Sequence, residues 1–193
     1  FKGVANGILS SPFVGPDKTS WANHTMAGVV NTYKRTGRRT HMGKLRITLA
    51  CWDYDRTSAL ANGTVVADGL DINYLSLPVE ETFFRMLRNK EFECAEMSLS
   101  SYCVSLMKDD PDFIAIPVFP SRMFRHNSIY VHADSGIQKP SDLVGKKIGT
   151  PEYQMTAPVW IRGILEEHYQ VPHTSVQYLT GGAETAGRDE KIK

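Results

Sequence analysis

The sequence predicts an α/β fold with mainly parallel sheets, and three observations predict it. Short segments in which apolar residues alternate with polar ones take turns with longer segments whose apolar residues recur every three or four positions. Asn-Gly, Asp-Gly and Pro-containing junctions separate the two kinds of segment. The predicted strands run out into polar clusters, and in open α/β sheets ligands bind beyond the carboxyl ends of strands.

Lys44–Cys51 alternates Leu45, Ile47 and Leu49 with Lys, Arg and Thr, which predicts a strand. Asp53–Thr57 follows as a loop, with Asp55 as the expected N-cap of a short helix. Asn62-Gly63 and Asp68-Gly69 mark turns, and Leu70–Leu77 is a second alternating strand. Pro78 starts a helix expected over Val79–Glu91. Phe83, Phe84, Met86 and Leu87 would form its apolar face, and Glu80, Glu81, Arg85, Arg88 and Lys90 its wet one.

Cys94–Ser98 predicts a short strand, and Ser100 or Ser101 would cap a helix over Tyr102–Lys108. Phe113–Phe119 reads as a buried strand with a bend or edge at Pro117, and Asn127–His132 as another. Pro140–Leu143 predicts a helical turn ended by Gly145, and Lys147–Thr150 a strand. Thr156–Tyr169 predicts a helix with Val159, Trp160, Ile164 and Leu165 on its apolar side. Ser175–Leu179 is the last strand, ended by the Gly181–Glu184 turn.

The charge is uneven. Residues 1–41 carry Lys2, Lys18, Lys34, Arg35, Arg38 and Arg39 against Asp17 alone, while the chain as a whole is +1. This stretch shows no sustained apolar period, so residues 1–41 are expected to be a disordered basic leader ahead of a body that starts near Met42. No 7–15-residue apolar run follows a basic start, so no secretory signal is expected. No apolar run reaches the roughly 18 residues of a spanning helix. The three cysteines, Cys51, Cys94 and Cys103, are odd in number and lack metal-ligand spacing. Buried reduced thiols in a cytoplasmic protein are the expectation, with no metal and no cofactor. Near-neutral charge gives no sign of a nucleic-acid or membrane partner, and oligomeric state is not legible.

Four strand ends carry the candidate chemistry. They are Asp53, Asp55, Arg56 and Thr57; Glu96, Ser98, Ser100 and Ser101; Ser121, Arg122, Arg125 and His126; and Glu152, Tyr153, Gln154 and Thr156. Three arginines among them suit a small anion, because the guanidinium fork matches a carboxylate. The competing reading for each arginine is a surface ion pair with Asp53, Asp55 or Asp112. His126 beside two arginines should be biased toward its neutral form. There is no Gly-x-Ser-x-Gly, His-Glu-x-x-His, Walker or Gly-x-Gly-x-x-Gly pattern.

YDRT (54–57), EFECAEMSLSSY (91–102), FIAIPVFPSRMFRHNSIYV (113–131), DLVGKKIGTPEYQMTAPVWIRGILEEHY (142–169) and LTGGAETAGRDEK (179–191) together resemble the 4,5-dihydroxyphthalate decarboxylase family. The resemblance covers 44–193. It implies a two-lobed fold like that of type II periplasmic solute-binding proteins, with the ligand held in the cleft. Lobe one would be 42–127. Residues 128–193 would cross the hinge and start lobe two, whose remainder, with a strand returning to lobe one, would lie past Lys193. The implied chemistry is non-oxidative decarboxylation of a hydroxylated aromatic dicarboxylate in phthalate degradation, so the expected partner is a small anionic aromatic ligand. On matched motifs, His126 would be the general acid, and Glu96 or Glu152 the base toward a ring hydroxyl. Arg56 and Arg125, with Ser98 or Ser100, would bind a carboxylate, assisted by Thr57, Arg122 and Thr156. Tyr153 and Trp160 would line the ring. The alternative is a solute-binding protein that captures a carboxylate and does no chemistry.

Overall fold

The computed structural model describes residues 26–31, 43–182 and 187. The basic cluster at 34–39 and part of the Gly181–Glu184 turn fall outside them. The protein divides into two compact units, one ending at Arg122 and the other beginning at Met123.

The first unit is built on a five-stranded sheet. β1 (Met26–Asn31), β2 (Leu45–Cys51), β3 (Leu70–Ser76), β4 (Cys94–Ser98) and β5 (Phe113–Ile116) lie in the order β3-β2-β4-β1-β5. β2 pairs in parallel with both β3 and β4, as the strand–helix alternation predicts. β1 is antiparallel to both of its neighbours. It lies inside the segment expected to be a disordered leader, and so corrects that expectation for 26–31. The physical reason is a slot in which the β1 backbone is paired on both edges, and in which Val29 is fully buried among Ala50, Ala95, Met97 and Phe113. Burying one such side chain stabilises by about 1.5–3 kcal/mol.

Helices cover this sheet with differences from the sequence reading. α1 (Ser58–Ala61) starts after Thr57, and Asp55 accepts from the Arg56 amide and side chain instead of capping it. α2 (Val79–Phe84) passes into a π-helical turn at Arg85–Asn89, which ends in left-handed Lys90. The wider turn brings Met86 into the core at 0% exposure and leaves Phe84 half exposed, so Phe84 is not on the buried face. Arg85 bonds both Glu81 and Glu91 across the outside of that turn. α3 (Leu99–Ser105) begins three residues earlier than expected, with Ser98 rather than Ser100 or Ser101 at the N-cap. β5 stops at Ile116 because Pro117 has no amide for the ladder.

The second unit has its own small core. β6 (Lys147–Thr150) and β7 (Gln177–Thr180) pair in parallel. α4 (Thr156–Tyr169) has the predicted bounds and closes on left-handed Gln170, two residues before Pro172. Leu143, Leu165, Val171 and Val176 form the buried cluster, with Ile148 and Ile161 against it. The strand expected at Asn127–His132 is absent. Arg125–Ser128 forms a 3-10 turn instead, and the His132 ring accepts from the Asp134 amide to start another. Among the described residues no ladder partner faces this stretch, so its alternation is not realised as a strand.

Candidate functional site

Two separate groups of polar side chains emerge, one in each unit. In the first unit, the carboxyl ends of β2 and β4 are adjacent, which brings residues 51–57 against Glu96 and Ser98. Glu96 is 1% exposed. One of its carboxylate oxygens accepts the Trp52 amide at 2.6 Å, and the other accepts the Tyr54 hydroxyl at 3.0 Å. Burial holds its carboxyl above the usual range, and the two donors pull it partly back. One donor on each oxygen links Glu96 to the 52–54 loop, so its side chain ties down the loop that carries Arg56.

Burial followed by the Glu96 charge also raises the phenol of Tyr54. The Tyr74 hydroxyl lies 3.0 Å from the Trp52 carbonyl and from the Thr57 hydroxyl, which fixes the loop from its other side. Arg56 donates through Nε to the Pro120 carbonyl and through its other nitrogen to Asp55 at 2.7 Å, and lies over the Tyr54 ring. Much of its fork is used within the protein, so the ion-pair reading holds for Arg56. Ser98 and Ser100 hydroxyls are 3.1 Å apart and partly open to solvent. Arg122 is exposed.

The same environment acts on Cys51, whose thiol is pushed up to about 12, first by burial and then by Glu96. Cys103 is exposed. A thiol-selective disulfide reagent at pH 8 is expected to modify Cys103 rapidly and Cys51 only on unfolding. Equal rates at the two thiols would contradict this packing.

In the second unit, Arg125 and His126 sit in the 3-10 turn beside α4. Among the described residues, neither Arg125 Nε nor His126 Nδ1 has a hydrogen-bond partner, although both atoms are buried. Burial lowers the affinity of Arg125 for its proton. His126 is held below its usual value by burial first and by His168 second, not by the neighbouring arginines that the sequence suggested. Its ring stacks on Phe124 at 4.7 Å and lies 5.8 Å from that of His168. A cavity of about 260 Å³ opens here, lined by His126, Trp160, Ile164, Glu167 and His168 among others. The structure thus brings His126 and Trp160 to one cavity. It adds His168, which the spacing 160, 164, 168 along one helix face could have signalled.

Glu152 is fully buried. Its carboxylate accepts from Gln154, and its carbonyl accepts from the Thr150 hydroxyl, so it shapes the loop between β6 and α4. Thr156 is buried at the start of α4. Tyr153 is half exposed, with Arg162 stacked 3.8 Å from its ring centroid, so one of its faces is occupied. Among the described residues, no group of three or more His, Cys, Asp or Glu could hold a metal ion. No helix among them is long and apolar enough to cross a membrane.

The fold and these clusters define a mixed α/β protein whose polar groups gather at the ends of parallel strands and beside an α-helical cavity. Over 151 residues, 78% of this chain, it is 48% identical to the 4,5-dihydroxyphthalate decarboxylase of Comamonas testosteroni, covering 46% of that protein. It is 46% identical over the same length to the enzyme of that name from Pseudomonas putida, covering 58% of it. Both relatives carry the name of the family that the motifs resemble. The chain spans about half the length of the curated relatives it matches. No protein-family model matches it.

Proposed function

We propose that this chain forms part of a carboxy-lyase that removes carbon dioxide, without oxidation, from a hydroxylated aromatic dicarboxylate such as 4,5-dihydroxyphthalate. The observation that carries the proposal is the 48% identity to a protein of that name. The two relatives' shared name favours it over a solute-binding role. The finer architecture proposed is the two-lobed type II periplasmic-binding-protein-like fold, a reading that the division into two compact units supports.

The chemistry asks for three things. A cation must hold a carboxylate. A ring hydroxyl must push electrons toward the carboxylated carbon, and an acid must protonate that carbon. The bond to the carboxylate carbon then breaks, its electrons restore the aromatic ring, and carbon dioxide leaves. Arg125 suits the first task because its Nε has no partner among the described residues, whereas Arg56 is engaged by Asp55 and Pro120. His126 suits the acid: a depressed imidazolium is a stronger proton donor than an ordinary one, at the expense of the fraction protonated at pH 7. Trp160 supplies an aromatic wall to the same cavity. Glu96 and Glu152 act as positioning residues because both are buried in loop contacts.

The test is carbon dioxide release from 4,5-dihydroxyphthalate by the full-length protein that contains this chain. His126→Ala is expected to lower kcat by about 10²–10⁴-fold, the usual contribution of a general acid. Tight binding without release, or unchanged turnover in His126→Ala, would defeat the proposal.

A further inference from the structure

We infer that Gly163 and Glu167 form the subsite for the hydroxylated edge of the aromatic ring: Gly163 leaves the space that the ring enters, and Glu167 accepts a ring hydroxyl. The inference rests on the decarboxylase reading and supplies a group that reading lacks, an acceptor for the hydroxyl proton. Glu96 is tied to the 52–54 loop, and Glu152 is fully buried in the loop between β6 and α4. Glu167 lines the same cavity as His126 and Trp160.

α4 has two apolar faces. Leu165, with Ile161 beside it, packs into the core of the second unit. Trp160, Gly163, Ile164, Glu167 and His168 follow one another at steps of three and four and turn toward the cavity instead. Two residues of that face are poor choices for the helix by itself. Glycine inside a helix is destabilising relative to alanine, and Gly163 lies well inside Thr156–Tyr169. Packing does not require it, because a Cβ built there meets no atom within 4 Å. An acid in the last turn opposes the helix dipole. Glu166 is compensated by His173 at 2.7 Å, whereas Glu167 makes no hydrogen bond or ion pair among the described residues. Locally unfavourable residues gather where function sets the choice.

The two positions act together. A helical side chain leans toward the N-terminus and covers the turn before its own Cα. Glu167 therefore leans over the turn that holds Gly163, where the missing side chain leaves the cavity open.

In 4,5-dihydroxyphthalate each hydroxyl is para to one carboxylate, so a proton taken from the hydroxyl activates the carbon across the ring. Glu167 takes that proton, and the phenolate pushes electrons to the carboxylated carbon, which takes the His126 proton. The bond to the carboxylate breaks, its electron pair restores the ring, and carbon dioxide leaves. The phenolate then recovers its proton from Glu167, and His126 is reprotonated from solvent.

The experiment uses the full-length protein that contains this chain, with 4,5-dihydroxyphthalate and phthalate as probes. Calorimetric titration of the unmodified protein is expected to show at least about tenfold tighter binding of the hydroxylated probe, as a charge-assisted hydrogen bond would give. Glu167→Ala should erase that preference and bind phthalate no more weakly. Glu167→Gln keeps an acceptor but no base, so kcat should fall about 10²-fold or more while hydroxyl preference is partly retained. Gly163→Leu should weaken both probes at least about tenfold yet melt no lower than the unmodified protein. Gly163→Ala should melt about 1–3 °C higher. No preference in the unmodified protein, a preference that survives Glu167→Ala, unchanged kcat in Glu167→Gln, or normal binding of both probes by Gly163→Leu would each overturn the subsite. Absence of carbon dioxide release from the unmodified protein would instead defeat the decarboxylase reading, and the binding arms would still decide the subsite.

Discussion

Glu96→Ala is expected to destabilise the first unit by roughly 2–4 kcal/mol, because it strands two donors that the buried carboxylate satisfies. Urea unfolding monitored by tryptophan fluorescence measures this, Trp52 being one of the two anchor points. Glu96→Gln separates the charge from the shape. The folded carboxyl is raised above its ordinary 4.5 by burial. A raised carboxyl favours the protonated form in the fold, so its contribution is fully present below the unfolded pKa. That contribution is lost as pH rises through the folded value. The wild type should therefore lose stability relative to Glu96→Gln as pH increases above about 4.5. A stability difference between the two that does not change with pH would contradict a buried, desolvated carboxyl. A loss near zero in Glu96→Ala would contradict the clamp itself.

Arg125→Met is expected to act in opposite directions on stability and on binding. The guanidinium is half buried, its proton affinity is lowered by desolvation, and its Nε has no partner among the described residues. Replacing an unpaired, partly buried charge with an apolar side chain of similar length should stabilise the second unit by about 1 kcal/mol. If Arg125 holds the substrate carboxylate, the same change should weaken binding of a phthalate-type dicarboxylate in the full-length protein by roughly 10- to 100-fold. That corresponds to a charge-assisted hydrogen bond of about 1.5–3 kcal/mol. Calorimetric melting and ligand titration read the two effects separately. A variant that binds normally would remove Arg125 from the site, and one that melts lower would show that the guanidinium is already paired in the fold.

The two variants probe opposite uses of burial. Glu96 is buried with one donor on each oxygen, which stiffens a loop. Arg125 is half buried with a donor left over among the described residues, a desolvation cost that a bound anion would relieve. Stability sacrificed at a binding group is common where function requires an uncompensated charge.

Much of this arrangement was legible without coordinates. β2, β3, β4, β6 and α4 follow from period-two and helical apolar patterns, because each buries one face against its own unit's core. His126 and Trp160, singled out by residue type and position, line one cavity. The local pattern failed where a tertiary partner decides the outcome. Asn127–His132 was expected as a strand, but among the described residues it has no ladder partner. Phe84 and Met86 compete for the same face, and the π-helical turn resolves it for Met86. Glu96 reads as a polar residue at a strand end, and only the Trp52 amide and Tyr54 hydroxyl reveal that it faces inward.

The sequence by itself determined the α/β class, most strands, the long helix and the family resemblance, since these depend on periodicity and on contiguous motifs. Tertiary structure alone decided which arginine has a donor to spare, which glutamates are committed, and that Met26–Asn31 belongs to a sheet at all. Those outcomes rest on pairing between residues far apart in the chain, as in Gly28 against Ile116 or Trp52 against Glu96. No local pattern encodes a hydrogen-bond partner more than 40 residues away.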